Sequence, residues 1–284
     1  SIDRYFYGGK EAYSAEKVKA IKLDHIVSTI IGINAANQIY LRWKPDSVLS
    51  NMDAYSAWSP YYIMADKYSI KYNVINLTEF DNYKKILNLY ELFESNSRYE
   101  KWMNSRNNAP LTGMETSQLD SFLSSRYSGQ SEIFKENDYF GDKIFSNQFP
   151  IDPKKTNIFL FSNIFWDVGI SQYKGIYDGV IEWVLDTVEI LKDNKDICLY
   201  IKPHPGEEYS ASPSNRGVVD FIIERFGNIP KNMTIITPNM KIKSYDLFPF
   251  IDIGLVFNGT IGLEMLINNV PVINTGMSPY SFLD

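Results

Sequence analysis

The second half of the chain alternates between short apolar runs and amphipathic segments, and this pattern limits the choice of fold more than any other feature. Residues 157–161 and 197–201 have the length and composition of buried strands. Residues 179–191 and 217–226 place apolar side chains at helical spacing. Three further strands and two further helices are predicted at 234–236, 244–250, 252–257, 261–267 and 270–274. Such alternation predicts an α/β fold with a parallel sheet covered on both faces.

The first half is less regular. Its pattern predicts helices at 16–37, 58–68, 83–103 and 117–126, and strands at 47–49 and 72–75. Residues 137–156 contain Gly141, Pro150 and Pro153, which are typical of a connection between domains. We therefore expect a smaller N-terminal α/β domain at 1–150 and a Rossmann-like domain at 151–284. Because the first half has few strands, we expect the sequence to be a piece of a larger multidomain polypeptide.

Composition excludes several classes of protein. The net charge of −6 argues against a general nucleic-acid binder, since such proteins are usually basic. No apolar run approaches the roughly 20 residues that a membrane-spanning helix needs. The single cysteine, Cys198, cannot form an internal disulfide, which favours a reducing compartment. We therefore expect a cytoplasmic protein.

A proline-flanked histidine follows one of the predicted strands. The run at 197–201 leads into KPHPGE at 202–207, where the prolines and the glycine end the strand. This places His204 at the carboxyl end of a strand, which is where open α/β sheets bind ligands. Pro203 and Pro205 restrict the backbone of His204, so its ring is aimed at a small cost in entropy. Lys202 adds a positive charge to the same strand end.

A small polar turn follows another strand. Asn258, Gly259 and Thr260 come directly after 252–257 and before the helix predicted at 261–267. A strand, a small turn and a helix start together favour anion binding, because free backbone N–H groups point outward. Thr260 adds a hydroxyl and is a candidate N-cap. Glu264 lies on the first helical turn. It is interpreted either as a residue that accepts hydrogen bonds from a ribose or as one that offsets the helix dipole. We expect this strand to lie beside the histidine strand.

These two motifs resemble a known family. KPHPGE at 202–207 followed by NGTIGLEMLINNVPVINTG at 258–276 is similar to the carboxyl-terminal domain of bacterial capsule and surface-polysaccharide glycosyltransferases, in the group that includes Kdo transferases. That family has the GT-B fold, in which two Rossmann-like domains face each other across a cleft. The resemblance covers about residues 157–280, and it implies that this half binds the nucleotide of a sugar donor.

The resemblance also implies roles for particular residues. His204 and Thr260 would contact donor phosphate, Glu264 would contact ribose, and Ser162 with Asn163 would face the same cleft. The remaining donor-binding candidates are neighbours of these residues in the two motifs: Lys202, Pro205, Asn258 and Gly259. The first domain would then bind the acceptor, a glycan or lipid-linked glycan.

A mechanism follows from where charge develops. Cleavage of the sugar–phosphate bond leaves negative charge on phosphate, which a protonated His204, Lys202 and the helix start would stabilise. The scheme needs no metal and no cofactor other than the nucleotide-sugar substrate. The nucleotide is open between CMP, UDP, GDP and dTDP, and the capsule-type resemblance favours CMP-Kdo. The acceptor hydroxyl needs a base, for which Asp53 is the first candidate and Asp24, next to His25, the second.

Other functions stay open at this stage. A polyol-phosphate transferase of the teichoic-acid type also uses a histidine–proline motif, although its second motif usually differs from Asn258-Gly-Thr. A nucleotide-sugar epimerase would share the fold but should show more acidic and histidine residues. A non-catalytic glycan- or nucleotide-binding domain of an assembly protein is the third alternative. For the transferase we expect a cytoplasmic location, peripheral at the inner face of the membrane.

Overall fold

The structure of the protein is a computed structural model. It describes residues 7–8, 13–50, 55–74, 79–80, 83–84, 104, 106–107, 109–128, 151–167, 176–209, 213–240, 242–276, 278 and 280–281. The chain divides into two compact units. One comprises residues 13–109 and 282–284, and the other comprises residues 1–12 and 110–281.

The first unit is built on a long helix and a small parallel sheet. Its elements are α1 (Ala15–Trp43), β1 (Ser47–Ser50), α2 (Tyr55–Lys67), β2 (Lys71–Val74), β3 (Glu79–Phe80) and β4 (Tyr83–Lys84). The Ser14 hydroxyl accepts from the Lys17 N–H and so caps the start of α1. Strands β1 and β2 pair in parallel, and β3 pairs antiparallel with β4. Helices α1 and α2 pack through a small core of Ala36, Tyr40, Met64 and Ala65.

Most predicted elements of this unit are present with longer bounds. Helix α1 continues to Trp43, six residues beyond the predicted end at residue 37. The helix predicted at 83–103 is wrong at its start, because Tyr83–Lys84 is a strand. Tyr83 and Lys84 pair antiparallel with Glu79–Phe80, and this pairing replaces the local helical pattern. The rest of that predicted helix, residues 85–103, lies outside the described residues.

The second unit contains the predicted parallel sheet. Its elements are α3 (Gly113–Tyr127), β5 (Thr156–Phe161), α4 (Val180–Leu191), β6 (Ile197–Lys202), α5 (Gly206–Tyr209), α6 (Val218–Phe226), β7 (Met233–Ile235), α7 (Ser244–Leu247), β8 (Ile253–Val256), α8 (Ile261–Ile267) and β9 (Val272–Asn274). All five strands are parallel, in the order β7-β6-β5-β8-β9. The α/β class and the Rossmann-like sheet are therefore confirmed.

Apolar cores cover both faces of this sheet, as the alternation of strands and helices requires. On one face, Val184 of α4 and Ile222 of α6 pack over Leu160 and Leu199. On the other face, Leu247 of α7 and Met265 of α8 pack over Phe159. Successive strand residues alternate between these cores, so that Leu199 and Ile201 belong to the first and Tyr200 to the second.

The strand order corrects one expectation. Strand β8 does not lie beside the histidine strand β6, because β5 pairs with both of them. The chain winds outward from β5 to β6 and β7, and then crosses back to β8 on the other side of β5. The crossover leaves a switch point between β5 and β8, and ligands of doubly wound sheets bind in the crevice outside the strand ends at such a point.

Two other features bear on domain organisation. The domain boundary predicted near residue 150 lies at the end of residues 129–150, outside the described part of the chain, and it stays a prediction. Helix α3 belongs to the same compact unit as the sheet. In the parts of the chain that the structure describes, no helix is both long enough and apolar enough to span a membrane.

Candidate functional site

Lys202, the last residue of β6, is a buried cation. Its side chain lies on the same side of the strand as Tyr200, and the residue is only 7% exposed. Among the residues that the structure describes, none forms an ion pair with its ammonium group. Burial alone lowers the pKa of Lys202 from 10.5 to about 8, so the ammonium form still predominates at pH 7. A buried ammonium group without a carboxylate partner is suited to an incoming anion.

His204 lies two residues beyond the strand, and neighbouring groups fix its position. Its backbone N–H donates to the Ser162 hydroxyl at 3.3 Å, which ties the ends of β5 and β6 together. Its ring nitrogen Nδ1 accepts from the Gly206 N–H at 2.9 Å. Because Nδ1 is the acceptor, the ring proton lies on Nε2. Nε2 is therefore a hydrogen-bond donor when the imidazole is neutral.

The protonated His204 of the predicted mechanism stays a prediction, and its surroundings act on the pKa of the ring in both directions. Desolvation, with a smaller contribution from the charge of Lys202, lowers the pKa of His204 to about 4, and Asp167 opposes the shift. His204 is nevertheless exposed to solvent along part of its surface. Solvent exposure reduces the desolvation of the ring, whereas the Gly206 N–H at Nδ1 favours its neutral form.

The turn after His204 is fixed by Gly206 and Glu207. A Cβ atom at position 206 would lie 2.9 Å from Nδ1 of His204 and 2.6 Å from Ile164, so only glycine fits without moving the ring. Glu207 is buried, and its Oε2 accepts from the Val218 N–H at the start of α6. Burial raises the pKa of the Glu207 carboxyl to about 8, against that hydrogen bond. Glu207 thus connects the histidine turn to a helix of the first core.

The turn after β5 lies between the two predicted motifs. Ser162 contacts His204 on one side, as described above. On the other side, the Asn163 amide nitrogen is 3.7 Å from the position that a Cβ on Gly259 would take. The Asn163 Oδ1 atom is buried and has no hydrogen-bond partner in the described part of the chain. Either end of this amide can turn toward a ligand, so Ser162 and Asn163 link His204 to the Asn258–Thr260 turn.

Thr260 is positioned to offer its hydroxyl to a ligand. It occupies the N-cap position of α8, as predicted, but it has helical backbone angles and its side chain makes no capping hydrogen bond. The residue is exposed at the surface. Because the strands are parallel, Thr260 lies at the same sheet edge as His204, two strand spacings or about 10 Å away along the sheet. A ligand that contacts both residues must cross the Ser162–Asn163 turn.

Tyr280, which the sequence analysis did not identify, fixes the shape of this turn. Its hydroxyl donates to the Gly259 carbonyl. A Cβ atom at Gly262 would collide with the Tyr280 hydroxyl and ring and with Val256. The tyrosine is buried, and it therefore holds both the turn and the first residues of α8 in place.

Glu264 differs most from its predicted setting. It is buried and forms an ion pair with Arg126 of α3, whose Nε and Nη2 lie 2.6 and 2.5 Å from Oε1. Tyr245 of α7 also hydrogen bonds to this carboxylate. Burial raises the pKa of the Glu264 carboxyl, while Arg126 and Tyr245 oppose that shift. The role of Glu264 in binding ribose stays a prediction.

Neither of the two candidate bases belongs to the described residues of the sheet unit. Asp53 lies outside the described residues, and its role stays a prediction. Asp24 is on α1 in the other compact unit, where His25 Nδ1 lies 3.1 Å from the Ser56 hydroxyl. Within the described ranges, no three His, Cys, Asp or Glu side chains group closely enough to hold a metal ion.

Comparison with known proteins gives only distant likenesses. No family model matches the chain, and no curated protein matches it in sequence. Among solved structures, two from Thermosulfurimonas dismutans KpsC are similar. The β-Kdo 2,7 transferase has 20% identity and a TM-score of 0.33 over 47% of this chain and 38% of that one. The β-Kdo 2,4 transferase has 16% identity and a TM-score of 0.42 over 61% and 48%.

A third similar structure is that of Staphylococcus aureus MnaA with UDP. It has 14% identity and a TM-score of 0.37, and the match covers 86% of this chain and 60% of that one. The chain thus spans between 38% and 60% of the length of these solved proteins. They have the GT-B-like fold that the motifs implied, including the Kdo transferases that those motifs resemble. At such low TM-scores, these likenesses carry no argument about what the chain binds or does.

Proposed function

We propose that this chain is part of a glycosyltransferase that moves a sugar from a nucleotide-activated donor to a growing surface glycan. The observation that carries the proposal is the set of groups that converges at one edge of the sheet. Lys202 supplies a buried cation, the Nε2 atom of His204 supplies a neutral donor, and Thr260 supplies a hydroxyl that does not cap its helix. Together they suit an anionic ligand long enough to cross the Ser162–Asn163 turn, such as a nucleotide sugar.

The proposed chemistry uses these groups where charge develops. The bond between the anomeric carbon and the donor phosphate oxygen breaks, and its electron pair stays on phosphate. The buried ammonium group of Lys202 and the Nε2–H of His204 would stabilise that charge. The acceptor hydroxyl forms the new bond to the anomeric carbon, and Asp53 is the proposed recipient of its proton.

The role of His204 differs from acid catalysis by an imidazolium. Because Gly206 holds Nδ1 as an acceptor, His204 contributes a directed hydrogen bond from Nε2. A bound phosphate would also raise the pKa of the imidazole, since a nearby negative charge favours the charged form. Nε2 would therefore keep its proton when the donor is bound, and His204 would act on the phosphate as a hydrogen-bond donor.

The test measures donor turnover by the full chain. His204 and His25, the only two histidines in the sequence, are replaced one at a time as a matched pair of variants. CMP-Kdo, UDP-N-acetylglucosamine and CDP-glycerol are each incubated with the protein, and the released nucleotide and the sugar products are measured. We expect His204→Ala to lower turnover by ~10²-fold, from the lost donor at the developing charge. We expect His25→Ala, which removes the exposed histidine of the other compact unit, to leave turnover unchanged.

The products separate the alternatives. Release of nucleotide with free or transferred sugar supports a glycosyltransferase. An altered sugar configuration would instead identify an epimerase, and release of CMP from CDP-glycerol alone would identify a polyol-phosphate transferase. Equal turnover by wild type and a folded His204→Ala variant would refute the site. Binding of glycan with no turnover of any donor would identify a non-catalytic domain.

A further inference from the structure

Helix α1 carries on its outer side the apolar pattern of a helix that packs against a partner. Five apolar residues follow the spacing i, i+3, i+4, i+7 and i+8, which marks the buried stripe of an amphipathic helix: Leu23, Ile26, Val27, Ile30 and Ile31. In α1, however, these side chains are between 47% and 63% exposed. We call this set of five residues the α1 apolar face.

The α1 apolar face points away from the core that α1 shares with α2. That core contains Ala36 and Tyr40 of α1. A Cβ atom at Gly32 would lie 2.8 Å from Pro60 of α2, so position 32 also faces α2. Gly32 comes two residues after Ile30, and successive helical residues are about 100° apart, so the two positions point to nearly opposite sides. The packing of α2 on α1 therefore leaves the α1 apolar face uncovered.

The order of residues in the α1 apolar face suits a second copy of the same helix. A two-fold axis between positions 28 and 29 would pair α1 antiparallel with its symmetry mate. It would place Val27 opposite Ile30 of the second copy, and Ile26 opposite Ile31 of the second copy. Apolar side chains would therefore meet apolar side chains on both sides of the axis. The face is self-complementary, as an interface with two-fold symmetry requires.

The two ends of α1 are complementary in charge under the same symmetry. Glu16 lies in the first turn of the helix and Arg42 in the last, and both are exposed. Because the axis places position 16 opposite position 41, Glu16 of each copy would lie beside Arg42 of the other. The antiparallel pairing thus forms this pair of opposite charges twice. A parallel pairing would instead bring like charges together at each end, which is unfavourable.

We propose that the α1 apolar face is the interface of a homodimer, in which α1 pairs antiparallel with α1 of a second copy about a two-fold axis. Five side chains that are each about half exposed offer roughly 500 Å² per copy, so the pairing buries about 1,000 Å² in total. That area is near the lower limit for a specific interface, so we expect a dissociation constant of about 1–100 µM. An anionic membrane is a poorer partner, because the chain has a net charge of −6.

Sedimentation velocity of the full chain, at concentrations from about 1 to 300 µM, tests the dimer. For wild type we expect conversion from monomer to dimer over this range. Ile30→Lys places a charge on each side of the axis and should weaken dimerisation by at least about a hundredfold, because each copy loses a central apolar contact. Ile190→Lys is the matched control, since it changes an isoleucine of α4 in the sheet unit that is 72% exposed. It should leave dimerisation unchanged.

Charge reversal tests the antiparallel arrangement. Glu16→Arg and Arg42→Glu each place like charges together at both ends of the interface, and each should weaken dimerisation by about three- to tenfold at low salt. The double variant restores opposite charges and should recover the affinity of wild type. All of these positions are exposed in α1, so the variants should fold, and circular dichroism checks that they do. A double variant that dimerises no better than the single variants would overturn the arrangement.

The other outcomes also decide the inference. A wild-type monomer at every concentration, or a dimer that Ile30→Lys does not weaken, would overturn it. Association that continues beyond the dimer would show non-specific contact between apolar surfaces and would overturn it as well. Binding of monomeric wild type to phosphatidylserine vesicles, lost in Ile30→Lys, would identify the α1 apolar face as a membrane-docking surface instead. None of these measurements involves a nucleotide, so their outcome is separate from the test of the proposed function.

Discussion

Replacing Lys202 with methionine should make the ligand-free protein more stable while it abolishes anion binding. Methionine fills a similar volume without a charge, and Lys202 is buried with no ion-pair partner among the described residues. The drop in the pKa of Lys202 from 10.5 to about 8 corresponds to a cost of about 3 kcal/mol for keeping the ammonium group buried, at 1.36 kcal/mol per pH unit. Lys202→Met removes that cost.

The pH dependence gives this prediction a definite sign. Below about pH 8, the lysine is charged in both the folded and the unfolded protein, so the full cost is present. Between about pH 8 and 10.5 the unfolded state binds the extra proton, and wild-type stability rises with pH relative to the variant. The advantage of Lys202→Met should therefore be near 3 kcal/mol at pH 7 and about half of that at pH 9.5.

Urea unfolding at pH 7 and pH 9.5, with and without inorganic pyrophosphate, measures these quantities. The buried tryptophans Trp166 and Trp183 report on the sheet unit by fluorescence. Lys192→Met on the surface of α4 is the control and should change stability by no more than about 0.5 kcal/mol. Pyrophosphate should stabilise wild type but not Lys202→Met. A variant that is less stable than wild type at pH 7, or an advantage that does not fall with pH, would contradict the reasoning.

Two other substitutions test the turn that follows His204 and the Asn258–Thr260 turn. Gly206→Ala should displace the imidazole of His204, because the new Cβ would lie 2.9 Å from Nδ1, and we expect donor turnover to fall by about 10²-fold. Gly113→Ala, where nothing lies within 4 Å of the added methyl group, is its control, and a similar loss in both variants would reject the explanation. Thr260→Val should weaken nucleotide binding by roughly tenfold through loss of the hydroxyl, and acceptor binding much less. Separate titrations with nucleotide and with glycan measure the two affinities. A larger loss of glycan affinity than of nucleotide affinity would contradict this prediction.

The sequence alone predicts the strands and helices of the sheet unit and the residues at which the strands end. Buried strands and amphipathic helices leave periodic patterns in local sequence, and the prolines of KPHPGE mark the end of β6 unambiguously. Strand order was not predictable in the same way. The position of β5 between β6 and β8 depends on the crossover after β7, and that choice leaves no periodic signal in any one segment.

The candidate site shows the same limit at the level of side chains. Arg126 pairs with a residue 138 positions away, and nothing near either residue in sequence marks the contact. The lowered pKa of His204 comes from desolvation and from the charge of Lys202, which are consequences of packing. Gly206 was within reach of the sequence analysis, since a glycine two residues after a candidate histidine is a natural place for close backbone approach.

The contact of Tyr280 with the Gly259 turn has a consequence for protein engineering. The letters Asn-Gly-Thr do not by themselves specify the shape of this turn, because a phenol from beyond β9 holds the Gly259 carbonyl and fills the space above Gly262. A graft that carries residues 258–264 into another sheet should fail to reproduce the turn unless it also carries an aromatic hydroxyl at the equivalent of position 280. Variants of Gly262 should likewise be combined with smaller side chains at position 280, because Tyr280 fills the space beside Gly262.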